Sequence, residues 1–427
     1  MFSSLRTRNY RLFAAGQVVS NTGSWMQRVA QDWLVLQLTH GSGTALGITT
    51  GLQFFPMLFS MWGGMVADRY PKRRILMATQ AAMGGLALTG TVAIWHVYAL
   101  ALLLGVITMV DNPTRQSFAV EMVGRDGMAN AIALNSAVFN LARIAGPAVA
   151  GLVIAVLGTP AAFLANAASY AAVLAGLKLM RAGELHTVPR APRAKGQLRE
   201  AAGYVWSRPD LRLLMVLVFF VATFGMNFQV TNALMATQVY HTGAGAFGLA
   251  STAFAVGALG GALLAARRGK PSLAWLLVMS LAFSLTEMAG SLMPDFVLFL
   301  ILLIPTGLTL LSFSTAANSV TQLSTTAAMR GRVMGLYMLV FLGGTPLGGP
   351  LAGWIAEAAG PRVATLAGGA IALVSTMVVT VLLAHAHGAR ARSLPRQALA
   401  RVRQHSLGLP LRVPMRLVTD GSATNRS

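Results

Sequence analysis

The chain has no cysteine among its 427 residues. That excludes a disulfide framework, thiolate chemistry and any cysteine-based metal site. Charge is also scarce, at 11% of residues, and only 12 of those charges are acidic against 33 lysines and arginines. No Gly-x-x-x-x-Gly-Lys-(Ser/Thr) stretch occurs, so a phosphate-cradling loop for ATP hydrolysis is excluded. The seven histidines fall in loops, linker or tail, so none is expected as a proton carrier inside an apolar run. No nucleophile–base or metal constellation appears. An enzyme is therefore not expected, and neither a cofactor nor a metal is called for.

Apolar sequence fills the space that charge leaves. Hydrophobic residues make up 55% of the chain and mean hydropathy is +0.63, which suits a polytopic membrane protein rather than a soluble one. A bilayer core of about 30 Å takes ~20 apolar helical residues. About twelve runs of that kind can be marked: 11–38, 44–67, 75–95, 98–120, 129–157, 160–180, 211–239, 246–266, 272–292, 296–322, 333–357 and 361–384. The first run carries Gln17, Asn21, Arg28, Gln31 and Asp32. It is too long and too polar for a signal peptide, and is expected to be a retained helix.

The net charge of +21 would suggest nucleic acid in a soluble protein. Here its distribution argues for a membrane. Connections two, four, six, eight and ten hold Arg69, Lys72, Arg73 and Arg74, then Arg125, the stretch 181–208, Arg267, Arg268 and Lys270, and Arg330 with Arg332. The odd connections hold Arg362 alone. Lysine and arginine are retained on the cytoplasmic side. The even loops and both termini are thus expected in the cytoplasm, in a multi-pass protein of the inner (plasma) membrane.

The chain also repeats itself weakly. At a shift of about 201, "NYRLF" (9–13) meets "DLRLL" (210–214) and "THGSGTALG" (39–47) meets "YHTGAGAFG" (240–248). At 202, "FNLARIAGPAVAG" (139–151) meets "FLGGTPLGGPLAG" (341–353), and Gly158 meets Gly360. Six spans per repeat makes the repeats parallel, related by an axis along the membrane normal. The expected organisation is an N-terminal six-helix bundle (1–180), a cytoplasmic linker (181–210), a C-terminal six-helix bundle (211–384) and a basic tail (385–427). In the linker, Leu198, Ala202, Val205 and Trp206 fit one face of a short helix lying on the inner membrane surface. The tail carries eight arginines and one aspartate. It is read as disordered or as a basic amphipathic segment on anionic lipid.

On these residues the chain resembles the major facilitator superfamily along nearly its whole length. "GGMVADRYPKRR" (63–74) looks like that family's signature between helices 2 and 3, with Gly64, Asp68, Arg69, Arg73 and Arg74 on or next to its positions and Pro71 in place of its second glycine. "RIAGPAVAG" (143–151) resembles the helix 5 signature associated with exporters, here Gly146, Pro147 and Gly151. "DNPTRQSF" (111–118) with "NAIALNSAVFNLARIAGP" (130–147) is most similar to the drug- and siderophore-efflux branch that includes enterobactin exporters. The resemblance implies an all-α fold of twelve transmembrane helices in two pseudo-symmetric bundles. It implies that the acid of the 63–74 loop, Asp68, bridges the halves when the inner side is closed.

Buried charge is costly in a membrane, so intramembrane polar residues point to function. Gln17, Asn21, Ser24, Arg28 and Asp32 share one face of run one; Asp111 and Arg115 are one turn apart in run four. Asn227, Gln229 and Asn232 mark run seven, and Thr309, Ser312, Thr315, Asn318 and Gln322 mark run ten. The polar load thus falls on runs 1, 4, 7 and 10, which must face each other or water. In run five Arg143 forms a stripe with Ser136, Asn140 and Pro147. It is either a structural arginine satisfied by Asp111 or backbone, or a group that meets substrate. Arg28 and Asp32 can pair at i, i+4. Glu287 stands apart from any lysine or arginine, and Glu357 is expected to be solvated.

The function expected is a monomeric secondary transporter exporting a small molecule, such as a drug or siderophore, in exchange for protons carried by carboxylates, with Asp111 ahead of Asp32. A sensor of transporter ancestry, an importer of the same fold and a membrane domain serving a separate ATPase are the alternatives. Anionic, zwitterionic and amphipathic substrates all remain open.

Overall fold

The computed structural model describes residues 3–88, 93–185, 197–269 and 272–392. The basic tail beyond 392 lies outside the described residues. Apolar runs in a membrane fold as helices because every backbone N–H and C=O must be satisfied within its own segment, and the described chain is almost wholly helical. The helices are α1 (Arg8–Leu38), α2 (Gly43–Phe54), α3 (Ser60–Arg69), α4 (Lys72–Leu88), α5 (Ile94–Leu157), α6 (Thr159–Leu179), α7 (Gln197–Trp206), α8 (Pro209–Phe220), α9 (Phe228–Leu234), α10 (Ala244–Arg268), α11 (Leu273–Ser291), α12 (Phe296–Leu323), α13 (Ala327–Gly343), α14 (Thr345–Ala359) and α15 (Pro361–Arg392).

Among the described residues, nine helical stretches are long and apolar enough to cross a membrane, beginning with Ile94–Gly124 and ending with Pro361–His385. The three remaining runs appear as α1, as α2 and α3, and as α4. They fall short for local reasons. α1 carries the polar stripe, α2 and α3 are separated by a 3-10 turn at Phe55–Phe59 containing Pro56, and α4 has only 17 residues. The connection expected near 96–97 is instead the first turn of α5, where His96 stacks on Trp95 at 3.6 Å. α5 carries a kink at Gly124, whose φ of 69° and ψ of −174° lie where only glycine sits without strain.

The internal repeat is visible in backbone conformation. His40 and His241 both have positive φ, 51° and 49°, and Gly158 and Gly360 stand at 83° and 95°. A non-glycine residue with positive φ is uncommon. Finding two at the same repeat offset marks two copies of one turn.

The repeats meet through α2 against α14 and α5 against α10. Both contacts are glycine-lined. A Cβ on Gly47 would fall on the Gly349 carbonyl, and one on Gly353 would fall on the Gly43 carbonyl. Across the other pair, a Cβ on Gly151 would come within 3.1 Å of the Gly245 Cα. Small faces let helices approach closely where lipid offers no hydrophobic drive. A buried cluster including Met26, Val35, Leu46, Ile154, Val230, Phe247 and Ala356 fills the same end of the molecule. Hydrogen bonds cross there too. Gln238 Nε2 donates to the Gly41 carbonyl (2.6 Å), and Glu357 Oε2 accepts from Ser42 Oγ and the Thr44 amide (each 2.9 Å). Glu357 is exposed, as expected, and it also caps the N-terminus of α2, where amide dipoles favour an anion.

At the opposite end each repeat is tied to itself. Lys72 pairs with Glu121 at 2.6 Å. Arg73 donates to the Leu177 and Lys178 carbonyls at 2.8 and 3.0 Å, capping the end of α6. Linker helix α7 packs on α8 and α13, and its Glu200 pairs with Arg332 at 2.6 Å. The face it buries is Ala201 and Val205, while Leu198, Ala202 and Trp206 point outward. The expected apolar face therefore splits in two, because the second repeat offers α7 a surface that the membrane alone would not.

Candidate functional site

Three chambers adjoin one another, the second and third lined by residues of both repeats. The first, of about 320 Å³, is lined by Gln17, Asn21, Arg28, Gln53, Asp111, Arg115 and Tyr170 among others. The second, of about 160 Å³, lies between α1, α5, α9 and α10 and includes Trp25, Arg28, Asp32, Arg143, Gln229 and Phe254. The third, of about 420 Å³, is lined by Arg143, Met226, Phe254, Asn318, Tyr337 and Phe341 among others. Arg28 borders the first and second chambers, and Arg143 the second and third. A further cavity of about 350 Å³ lies between α1, α4, α5 and α6, with no charged residue in its lining and with Gln27, Gln31, Val97 and Phe163 in its wall.

The two central carboxylates live in different surroundings. Asp111 is 2% exposed. Its Oδ1 accepts from Thr79 Oγ1 at 2.6 Å and Gln80 Nε2 at 3.0 Å. Its Oδ2 accepts from Arg115 Nε, and Arg115 Nη1 donates onward to Gln17 Oε1. This carboxylate is paired and fully hydrogen-bonded, the condition under which a buried charge is tolerated. Asp32 is 1% exposed and accepts from Gln229 Nε2 at 3.1 Å, across the repeats from α9 to α1. Arg28, one turn before it, forms no ion pair with Asp32 within 4 Å among the described residues. Its guanidinium lies over Trp25 at 4.6 Å and Phe54 at 5.8 Å instead, a cation–π arrangement.

Arg143 is not satisfied by Asp111, whose partner is Arg115. Its Nε and one Nη are buried without a hydrogen-bond partner. Glu287, 4% exposed, also has an unpartnered oxygen. It sits beside Gly225 and Gly368 and is not among the residues lining the three chambers. Asn227 turns its Nδ2 onto the Thr223 and Phe224 carbonyls at 2.8 and 3.1 Å. Asn140 bonds to the Ser136 carbonyl, and Asn318 accepts from Gln322.

The helix 5 glycines pack against both neighbours. Gly146 faces Trp25 and Thr22 of α1, the Pro147 carbonyl faces Gly248 of α10, and Gly151 faces Gly245. In the 63–74 segment Gly64 lies on α3, Arg69 approaches the Tyr70 ring at 6.0 Å and Arg74 is exposed on α4. The side chain of Asp68 lies outside the described residues.

Sequence reasoning missed Thr79 and Gln80 as the clamp on Asp111. The signal was present, two adjacent polar residues in the otherwise apolar stretch of α4 that follows its three basic residues. It also missed two π-helical segments, Val221–Gly225 and Met235–Val239, which flank α9. Such bulges collect at functional sites, and Gln229, which donates to Asp32, lies between these two.

A polytopic helical protein with charged chambers between two repeats is a membrane transporter of the major facilitator type. The chain belongs to the transmembrane secretion effector family, whose model matches residues 1–408. It is 28% identical to the multidrug efflux pump Tap of Mycobacterium tuberculosis over 394 residues, covering 87% of this chain and 92% of that one. It is 27% identical to the staphyloferrin A transporter of Staphylococcus aureus over 247 residues, which is 56% of this chain and 62% of that transporter. Among solved structures it is similar to a peptide transporter bound to sulfate (TM-score 0.70, 14% identity, 89% and 95% covered). It is also similar to a bacterial homologue of the lysosomal transporter Spinster in an inward-facing, occupied conformation (TM-score 0.69, 16% identity, 88% and 97% covered). The family and these relatives are transporters, and the protein is not an enzyme.

Proposed function

We propose that the protein is a secondary exporter of small molecules in the plasma membrane, working by alternating access in exchange for protons. One observation carries the reading: a chamber holding Arg28, Asp32 and Arg143 lies between two repeats that are clasped at one end, while at the other end the ion pairs among the described residues stay within the first repeat or between the linker helix and the second. The clasped end holds the turns at 39–43, 158, 240–243 and 360. The opposite end holds the basic connections, so by retention of cations on the inner side it is cytoplasmic and the conformation is inward-open. The relatives named for drug efflux support the outward direction. On this reading the chain has twelve spans in two six-helix bundles, 1–180 and 211–384, with both termini inside. Reporter fusions at Gly158 and Gly243 are expected to read outside, and a fusion at the C-terminus inside. A C-terminus reading outside overturns the topology.

The coupling group we favour is Asp32 rather than Asp111. A proton carrier must lose its proton to one side and regain it from the other. Asp111 is held by three side chains, including the cation Arg115, whereas among the described residues Asp32 accepts one side-chain hydrogen bond, from Gln229 of the other repeat. The test is efflux in proteoliposomes with ethidium as the probe. Asp32→Asn is expected to abolish efflux driven by a pH gradient while leaving downhill exchange within about threefold of normal, because the conformational cycle survives. pH-driven efflux that persists in Asp32→Asn refutes the assignment.

A further inference from the structure

The geometry points to Arg143 as the anchor for a carboxylate or other oxyanion on the transported molecule, which makes the cargo an amphipathic organic anion. The inference rests on the transporter reading and adds the substrate class to it.

The guanidinium is the group without a counterpart in the site. Among the residues lining the second and third chambers, the charged ones are Arg28, Asp32 and Arg143. Asp32 is engaged by Gln229, and Arg28 is covered by the Trp25 and Phe54 rings. One positive charge is left over, and it belongs to the side chain whose Nε and Nη lack partners. Arg143 as a whole is partly buried, but these two donors are buried, and a buried polar group without a partner calls for an explanation. A planar guanidinium with two free donors is shaped for bidentate recognition of a carboxylate, phosphate or sulfonate.

The walls around it specify the rest of the ligand. On one side the third chamber offers Met226, Phe254, Tyr337 and Phe341, a soft apolar lining that takes an aromatic or branched body without demanding one shape. Ser314, Thr315 and Asn318 line the same chamber and supply a few hydrogen-bonding groups. A cavity of about 420 Å³ falls within the range of sites that bury drug-sized ligands. Arg143 also stands three residues before Gly146, whose helix face packs on α1. Filling the arginine's vacant donors therefore acts on the same helix that joins α1 to α10.

The experiment compares biphenyl-4-carboxylate with its uncharged amide, two probes of nearly equal size and apolar area. Binding to detergent-purified protein is read by thermophoresis, in wild type, Arg143→Gln and Arg143→Lys. Wild type is expected to bind the carboxylate at least tenfold more tightly than the amide. Arg143→Gln removes that preference with amide binding unchanged. Arg143→Lys keeps a reduced preference, because the charge remains and the fork is lost. Equal affinities for the two probes in wild type, or no binding of either, overturns the inference. An Arg143→Gln variant that weakens both probes alike also overturns it, since that is the result of a purely structural arginine. The wild-type comparison stands even if a variant fails to fold. A protein that binds the carboxylate through Arg143 but moves no substrate in vesicles loses the transporter reading and not this one.

Discussion

Gly47→Leu is expected to bring transport to background while the protein still reaches the membrane in near-normal amount. Gly47 of α2 lies against Gly349 of α14 so closely that even a Cβ would overlap the carbonyl oxygen. A leucine there cannot be absorbed by a rotamer change, because the obstacle is backbone. Overpacking of this kind costs about 1–3 kcal/mol. The cost falls on the conformation in which this end is closed, and 2–3 kcal/mol is about 30- to 150-fold in an equilibrium constant. The repeats should then part at the clasped end. The chain has no native cysteine, so a single cysteine at Asn232, which lines the middle chamber, reports directly. Its labelling by an impermeant maleimide from the clasped side should rise at least tenfold in the Gly47→Leu background. Gly85 on α4 has open space around it, and Gly85→Leu is the control that should change neither readout. Unchanged labelling in Gly47→Leu would mean that the α2–α14 contact does not hold this end shut.

Asp111→Ala is expected to be the most destabilising single change in the first repeat. It leaves the Arg115 guanidinium buried against Gln17 alone and strips the acceptor from Thr79 and Gln80. Breaking a buried ion pair by removing one partner costs about 3–5 kcal/mol, whereas replacing both partners with apolar groups is often neutral. Asp111→Ala/Arg115→Met should therefore recover much of the thermal midpoint lost by Asp111→Ala, without recovering transport. Asp32→Asn, by contrast, weakens a single hydrogen bond worth ~1 kcal/mol and should melt near wild type. Thermal unfolding of purified protein followed by tryptophan fluorescence separates the cases. If Asp111→Ala melts with the wild type, the network does not support the fold.

Much of this arrangement could be read before any coordinates. The polar spacing of α1 placed Gln17, Arg28 and Asp32 on one interior face, because a helix has 3.6 residues per turn and a membrane penalises any other placement. The i, i+4 spacing of Asp111 and Arg115 likewise made their pairing a local matter. Arg28 and Asp32 have the same spacing and do not pair, since Trp25, Phe54 and Gln229 supply better partners from the side and from the other repeat. Spacing on one helix says who can meet; the neighbours decide who does.

The sequence by itself determined the class of the protein. Hydropathy, the alternation of basic connections and the repeat at 201–202 are properties of the chain alone, since each helix must satisfy its own backbone and cations stay on one side. The paired turns at His40 and His241, and at Gly158 and Gly360, follow from local residues too. What only the tertiary structure decided are contacts between segments far apart in the chain: Gln229 on Asp32, Glu357 on the start of α2, and a buried linker face that keeps Val205 of the expected one but takes Ala201 in place of Leu198, Ala202 and Trp206. The unpartnered donors of Arg143 belong to the same list. Whether a buried charge has a partner depends on every helix packed around it, and no periodicity along one helix records that.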